Sequence, residues 1–209
     1  MDNQYREMLI SQCQQLGLDL TEQQYDQLIR YHALLVKWNK TFNLTAVRSP
    51  EQMISRHLVD SLSILPHITV ERLIDVGSGP GLPGIPLAIC RPDLPVTLLD
   101  SNIKKSRFQF QAKTELGLDN VEVVHERVEK FTPEVRFDGV ISRAFASLQD
   151  MIHWTEHLCT QKGIFLAMKG MYPVDEIEQL PDHITLHRSI RLNVPDTEGE
   201  RHLLILGRT

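Results

Sequence analysis

The sequence predicts an α/β protein, a mostly parallel sheet covered by helices on both faces, with a helical extension at its N-terminal end. Three observations lead there. From about residue 72 onward, short apolar runs of strand length alternate with segments of helical periodicity, the pattern of repeated βα units. One junction, Leu73 to Gly84, is a buried-strand run that breaks into four glycines and two prolines and then resumes as an apolar helix start. Ahead of it, the first 65 residues carry helical signals only.

In order, Thr21-Glu22-Gln23-Gln24 has the form of a capping box, a hydroxyl N-cap with glutamine at N3. Tyr25, Leu28, Ile29, His32, Leu35 and Val36 follow at helical spacing and predict one buried stripe. Trp38 and Phe42 share that spacing and read as core. Ser49-Pro50-Glu51-Gln52 opens another helix with proline at its first position; Ile54, Leu58, Leu62 and Leu65 form its apolar face, and Pro66 stops it. Strands are then expected at 72–76, 96–99, 121–124, 137–141, 163–168, 184–194 and 202–206. Helices are expected at 82–90, 102–116, 147–158 and 174–180, with a short turn or helix at 127–130. Helices between short apolar strands imply a parallel sheet buried on both faces, and the last two strands read as a hairpin-like pair.

The 209 residues suit one compact unit, with residues 1–66 as a helical cap and 67–209 as a nucleotide-binding domain. No apolar run approaches the roughly 20 residues that span a bilayer, and Met1 to Glu7 do not read as a secretion signal. Cys13, Cys90 and Cys159 are odd in number and scattered, which points to free thiols in a reducing cytoplasm. Net charge is −5, unevenly distributed. Residues 1–29 carry five acids against Arg6, whereas residues 30–57 carry Arg30, Lys37, Lys40, Arg48 and Arg56 against Glu51. Residues 101–113 add Lys104, Lys105, Arg107 and Lys113 with no acid. Acidic ends with basic middles fit either one basic face or ordinary solvated helices. His153 and His157 have a helical metal spacing, but no third ligand converges on them, so no metal is expected.

The glycine stretch departs from the dinucleotide fingerprint. Gly77 and Gly79 match it, but Leu82 stands where the third glycine belongs, and the spacing is Gly77-x-Gly79-x-Gly81. Pro80 and Pro83 stiffen the loop, which suits a rigid shelf for a nucleoside better than an amide cradle for pyrophosphate. Asp100, at the end of the second strand, is placed to accept ribose hydroxyls from either kind of cofactor, or to cap the next helix. Asp75 inside the first strand is costly to bury unpaired, and a ligand ammonium is a natural partner. S-adenosylmethionine offers an α-ammonium; NAD does not.

Asp75-Val-Gly-Ser-Gly-Pro-Gly-Leu-Pro-Gly-Ile-Pro86 resembles the cofactor loop of the bacterial small-subunit ribosomal RNA methyltransferase G family, also called glucose-inhibited division protein B. The likeness continues through Lys37-Trp-Asn-Lys40, Asn43-Leu-Thr45, Arg56-His57, Asp60-Ser61, Asp100-Ser101, Lys104-Lys105, Arg107-Phe108, Arg127-Val-Glu129, Ser142-Arg-Ala144 and Lys169-Gly170. It implies a class I S-adenosylmethionine-dependent methyltransferase: a Rossmann-like, mostly parallel seven-stranded sheet with a terminal antiparallel strand. The implied reaction is methylation of N7 of guanine 527 in 16S ribosomal RNA, within a small ribosomal subunit or an assembly intermediate. No membrane and no obligate protein partner are implied. Cofactor contacts carry over to Gly77, Leu82, Val128, Glu129 and Arg143, beside Asp75, Gly79, Gly81 and Asp100 from the reading above.

Guanine N7 has an available lone pair, so the reaction needs alignment rather than a general base or a covalent intermediate. In keeping with that, the fourth strand leads into Ser142-Arg143-Ala144-Phe145. It is followed neither by an Asn/Asp-Pro-Pro-aromatic run nor by Pro-Cys. Arg143 is expected to position the base or the cofactor carboxylate, with a structural ion pair as its other reading. Phe145 is expected either to stack on the base or to pack beneath the loop. His57 either lines the RNA entry or is a buried, hydrogen-bonded histidine. Other readings stay open: a methyltransferase for another RNA, a protein or a small molecule, an NAD-dependent oxidoreductase or sensor, and a non-catalytic RNA-binding assembly factor. Lys37, Lys40, Arg48, Arg56, Lys104, Lys105 and Arg107 form the candidate phosphate-contacting set, which positions RNA without reading its sequence. Neutralising Lys104 and Lys105 together is expected to flatten the salt dependence of RNA binding and leave cofactor affinity intact; titrations at several salt concentrations measure the slope.

Overall fold

The computed structural model describes residues 2–143, 145 and 147–209, Asp2 by its backbone alone. Helix α1 (Asp2–Gln15) and helix α2 (Glu22–Phe42) open the chain. The capping box at Thr21 forms in both directions, and α2 ends on Asn43 in the left-handed conformation, φ 52°. The buried stripe of α2 includes Tyr31 and Asn39 as well as Tyr25, Leu28, His32 and Leu35. Ile29 and Val36 are half-buried at its margin, and Phe42 is exposed. The expectation of a core Phe42 is corrected: it packs on Trp38 at 5.1 Å between ring centres, while Trp38 is the ring that reaches Phe108.

Helix α3 (Pro50–Met53) starts on its Ser49 cap as expected, then widens into a π-helical turn, Ile54–Val59, before closing as α4 (Asp60–Leu62). Pro66 sits inside a separate 3₁₀ turn, Leu65–His67. A π-turn shifts the phase of every following side chain, and here it carries Arg56 and His57 into Asp60. Ser55, His57, Asp60 and Ser61 are all buried.

The sheet is built from β1 (Leu73–Val76), β2 (Val96–Asp100), β3 (Val121–His125), β4 (Phe137–Ser142), β5 (Cys159–Lys169), β6 (Ile184–Arg191) and β7 (His202–Arg208). The helices are α5 (Gly84–Cys90), α6 (Ile103–Leu116), α7 (Leu148–Thr155) and α8 (Val174–Glu178). Strand order is β3-β2-β1-β4-β5-β7-β6. The first five strands in that order are parallel; β7 runs antiparallel to both neighbours, which places the last strand inside the sheet and β6 at its edge. The order of successive strands reverses between β1 and β4. That is the switch point at which open α/β sheets hold ligands beyond their strands' carboxyl ends.

One continuous cluster of buried side chains runs from Leu9, Leu28 and Tyr31 of the N-terminal helices through Ile85, Leu98 and Phe108 to Leu166 and Leu203. A second lies on the opposite sheet face, from Ile74 and Val140 to Met151, Phe165 and Leu204. Helix α5 begins two residues later than expected, at Gly84; ahead of it Gly81 adopts φ 92° and the Leu82–Pro83 bond is cis. Gly84 then opens the helix against the sheet: a Cβ there would stand 2.3 Å from Leu98 and 3.0 Å from the Asp75 carboxylate. Gly84→Ala is therefore expected to cost about 1–3 kcal/mol of stability, as overpacking does, read as a lower melting temperature.

Candidate active site

The loop between β1 and α5 uses its amides internally. Gly77 and Ser78 donate to the Leu99 carbonyl, Gly79 to the Asp100 carboxylate, Gly81 and Leu82 to the Ser78 carbonyl, Gly84 to Asp75 and Ile85 to the Gly81 carbonyl. Pro80 and Pro83 have no N–H. A pyrophosphate cradle needs donors aimed at the ligand, so this loop is not built for one. Its outer side is clamped too. The Tyr31 hydroxyl donates to the Pro80 carbonyl at 2.8 Å, and the buried Gln109 amide donates to Ser78 Oγ at 2.8 Å and the Gly79 carbonyl at 2.7 Å.

Asp100 caps nothing directly; Asn102 is the N-cap of α6, accepting from the Lys104 amide. Asp100 instead takes Gly79 N–H on Oδ2 and Asn102 N–H on Oδ1, both at 2.8 Å. Each oxygen keeps a further lone pair for a ligand hydroxyl. Asp100 lines a cavity of about 380 Å³ with Gly77, Leu99, Val128, Glu129 and Phe145. Gly79, Gly81 and Leu82 shape the loop without lining that wall.

Asp75 is fully buried. Its Oδ2 accepts the Gly84 amide at 2.8 Å, while Oδ1 has no hydrogen-bond partner among the described residues. Burial pushes its pKa up to about 7, an effect only partly offset by the Gly84 amide and by Arg143; Asp100 pushes the same way as burial. A buried carboxylate with one unmatched oxygen fits a cationic ligand group nearby, although Asp75 lies behind the cavity wall rather than on it.

Arg143 lies on the other side of Phe145. With Phe145, Met168, Lys169, Gly170 and Tyr172 it lines a second cavity of about 590 Å³, and with Asp60, Arg201 and His202 a third of about 210 Å³. Phe145 belongs to both large cavities and packs on the second core cluster. Arg143 also makes the ion pair weighed against its functional role: its guanidinium meets Asp60 at 3.0 Å, and Arg201 approaches the other Asp60 oxygen at 3.2 Å. Lys169 pairs with Glu176 at 2.8 Å, and Glu176 also accepts the Leu148 amide at 2.7 Å, so the segment after β5 is tied to the start of α7. Ala144 of the Ser142-Arg143-Ala144 turn lies outside the described residues. Sequence reasoning left Arg201, Tyr172 and Glu176 unnoticed, and it gave Lys169 and Gly170 no role. Arg201 and Tyr172 carry no local signal, since the fold brings them together from separate segments.

His57 is the buried, hydrogen-bonded histidine of the two readings. Its ring nitrogens lie 2.8 Å from Thr45 Oγ1 and 3.0 Å from the Arg56 carbonyl oxygen, and burial with the nearby Arg143 charge lowers its pKa to about 4. Among the basic residues, Lys37, Lys40 and Arg48 gather round one cleft, and Arg56, Lys104 and Arg107 are exposed while Lys105 is half-buried. Helices α2 and α6 pack together through Tyr31, Trp38 and Phe108, which sets the basic residues of both on adjoining helices. Among the described residues no cluster of histidine, cysteine or carboxylate side chains has metal-binding form, and no helix is long and apolar enough to cross a membrane.

Similar folds occur in a ribosomal protein L11 methylase from Lactobacillus delbrueckii subsp. bulgaricus, with TM-score 0.56 and 15% identity over 72% of this chain and 77% of that one. Another is an S-adenosylmethionine-dependent methyltransferase from Thiobacillus denitrificans solved with S-adenosyl-L-homocysteine, with TM-score 0.54 and 11% identity over 72% and 90%. Such identities speak for fold, and the fold is that of the class I S-adenosylmethionine-dependent methyltransferases. Sequence likeness narrows the class. Residues 24–204 match the family model of rRNA small subunit methyltransferase G. The protein of that name from Pseudomonas syringae pv. tomato is 54% identical over 206 residues, 99% of this chain and 98% of its own length. The one from Yersinia pseudotuberculosis is 58% identical over 191 residues, 91% and 93%. The chain belongs to the rRNA small subunit methyltransferase G family, and S-adenosylmethionine is its methyl donor.

An acid whose pKa is raised on folding stabilises the fold most below its unfolded value. Stability contributed by Asp75 is therefore expected to fall as pH rises from about 4 to about 7 and to stay level above that. Asp75→Asn keeps an acceptor for Gly84 and removes the titration. Relative to the wild type, it is expected to gain melting temperature from pH 4 to pH 8.

Proposed function

We propose that this rRNA methyltransferase transfers the methyl group of S-adenosylmethionine to N7 of guanine 527 of 16S ribosomal RNA, in line and with no covalent intermediate. The observation that carries the reading is the meeting of two cavities at Phe145. One is walled by Asp100, Val128 and Glu129 and the other by Arg143 and Lys169, so a donor and a flat base can approach end to end. S-adenosylmethionine supplies a methyl group on a positively charged sulfur, which the N7 lone pair takes directly with no proton to remove.

The residues present suit that division. Gly77 and Leu82 belong to the loop that bounds the cofactor, Asp100 accepts ribose hydroxyls, and Val128 with Glu129 holds the adenine edge. Asp75, with its unmatched oxygen, favours the cofactor's cationic end, and Gly79 and Gly81 give the loop its turns. Arg143 serves the acceptor by donating to guanine O6. An arginine that grips both O6 and N7 would block the attacking lone pair, and pairing with Asp60 restrains Arg143 from doing so. Phe145 offers a face for the base, which must leave its stack at a cost of about a few kcal/mol. All three cysteines are buried, and burial raises their pKa to about 12, 12 and 11 for Cys13, Cys90 and Cys159, the opposite of an activated nucleophile. The cellular setting we assign is the cytoplasm, on a small subunit or its assembly intermediate.

Nucleoside mapping of 16S RNA from cells lacking the protein is expected to lose N7-methylguanine at that one position, restored by the wild-type chain. Arg143→Lys is expected to lower kcat by about tenfold or more while cofactor affinity holds, in keeping with the loss of a fixed planar donor. Retained N7-methylguanine in the deletion strain overturns the reading.

A further inference from the structure

Outside the active site lies a cleft of about 500 Å³ between α2 and the segment from Arg48 to Met53. It shares no lining residue with the three cavities around Phe145 and Arg143. We propose that it is a second RNA subsite that takes one unstacked nucleotide, base inside and phosphates at the rim. The proposal rests on RNA as the substrate, but its test does not depend on methyl transfer.

Three features point to a nucleotide. First, the interior is mostly apolar, with Ala33, Val36, Pro50 and Met53, and the rings of Tyr5 and His32 belong to its lining. Tyr5 and His32 meet there edge to face, 5.0 Å between centres. Second, the polar groups of the wall already have partners within the protein. Asn39 donates to the Val47 carbonyl at 3.1 Å and accepts the Thr45 amide at 2.9 Å, and His32 Nε2 lies 2.9 Å from the Pro50 carbonyl oxygen. A base would be held by its faces rather than read by its edges, the sequence-tolerant mode of single-strand binding. Third, three cations ring the opening. Lys37 and Lys40 are exposed one turn apart on α2, and Arg48 faces them from the loop, its Nη1 3.5 Å from the Asn39 carbonyl. Among the described residues the cleft lining holds three cations and no carboxylate, and Glu51 reaches the wall by accepting the Tyr5 hydroxyl. An apolar slot beside clustered positive charge fits a base next to its phosphates. A protein partner would need acidic residues placed beside its apolar side chain to match those cations, whereas a nucleotide always carries its charge next to its base.

Two variants fill the slot without touching the active site: Ala33→Trp, at an exposed position on the lip, and Val36→Trp, deeper in. Affinity for 16S RNA stripped of protein is expected to fall about tenfold in each, as the loss of one stacked base predicts, with the dissociation constant for S-adenosylmethionine unchanged. Ultraviolet cross-linking of wild-type protein to the same RNA containing 4-thiouridine is expected to place adducts on Tyr5, Val36 or Met53. Unchanged RNA affinity in Ala33→Trp and Val36→Trp overturns the proposal, also where Lys37→Ala/Lys40→Ala weakens binding, since that leaves phosphate contact without a base. Loss of affinity for assembled subunits alone, with bare RNA bound normally, overturns it in favour of a ribosomal-protein side chain. Should Val36→Trp not fold, Ala33→Trp and the cross-links on the wild type decide. Wild-type protein that binds RNA through this slot yet methylates no guanine would refute the proposed reaction and leave the subsite standing.

Discussion

Between Val76 and Ile85 the backbone gives its amide hydrogens to the protein itself: to Leu99, Ser78, Gly81 and the carboxylates of Asp75 and Asp100. The rest of the site follows from that constraint. A loop so bonded holds its shape before any ligand arrives, so binding need not pay to order it. It also joins two strands and two helices, because acceptors come from β1 and β2 while Tyr31 of α2 and Gln109 of α6 donate to its outer side. The N-terminal helices are thereby tied to the glycine loop. Tyr31, fully buried, links them directly to Pro80.

The second tie between cap and sheet is Asp60. Its carboxylate is almost wholly buried and stands between Arg143, beyond β4, and Arg201, at the start of β7. A buried charge of this kind is costly unless its partners stay in place, so three distant segments are held to one geometry around the cavities that Arg143 lines. The π-helical turn preceding Asp60 sets the direction of that side chain, together with the burial of His57. Ion pairing and a positioning role for Arg143 are thus compatible: the pair fixes where the guanidinium points.

Much of this was legible from the amino acids. Strand and helix order followed from apolar periodicity, and the caps at Thr21 and Ser49 marked helix starts, whereas Asn102 and not Asp100 caps α6. Glycine spacing was read only in part. Leu82 spoiled the dinucleotide fingerprint, but the task of its third glycine, close packing of helix on strand, falls to Gly84, two residues along, where α5 begins against Leu98 and Asp75. Phe42 shared its helix's spacing and still lies outside the core: it is the last residue of α2, and Trp38 makes the contact with Phe108 instead. Asp100 served neither reading alone: it stays on the cavity wall and also organises two amides.

The sequence by itself determined the order and type of the main strands and helices, the acid at the end of β2, the uneven charge and, through motif order, the family. These are local or linear properties, set by side-chain period, backbone freedom and spacing along the chain. Tertiary structure alone decided which amides remained for a ligand, that Asp75 keeps one oxygen unmatched, and that Asp60 joins Arg143 to Arg201. It also decided that Lys37, Lys40 and Arg48 ring an apolar slot instead of lying on a flat helix face. Hydrogen-bond partners, burial and ion pairs depend on residues brought together from distant parts of the chain, and no pattern of spacing records them.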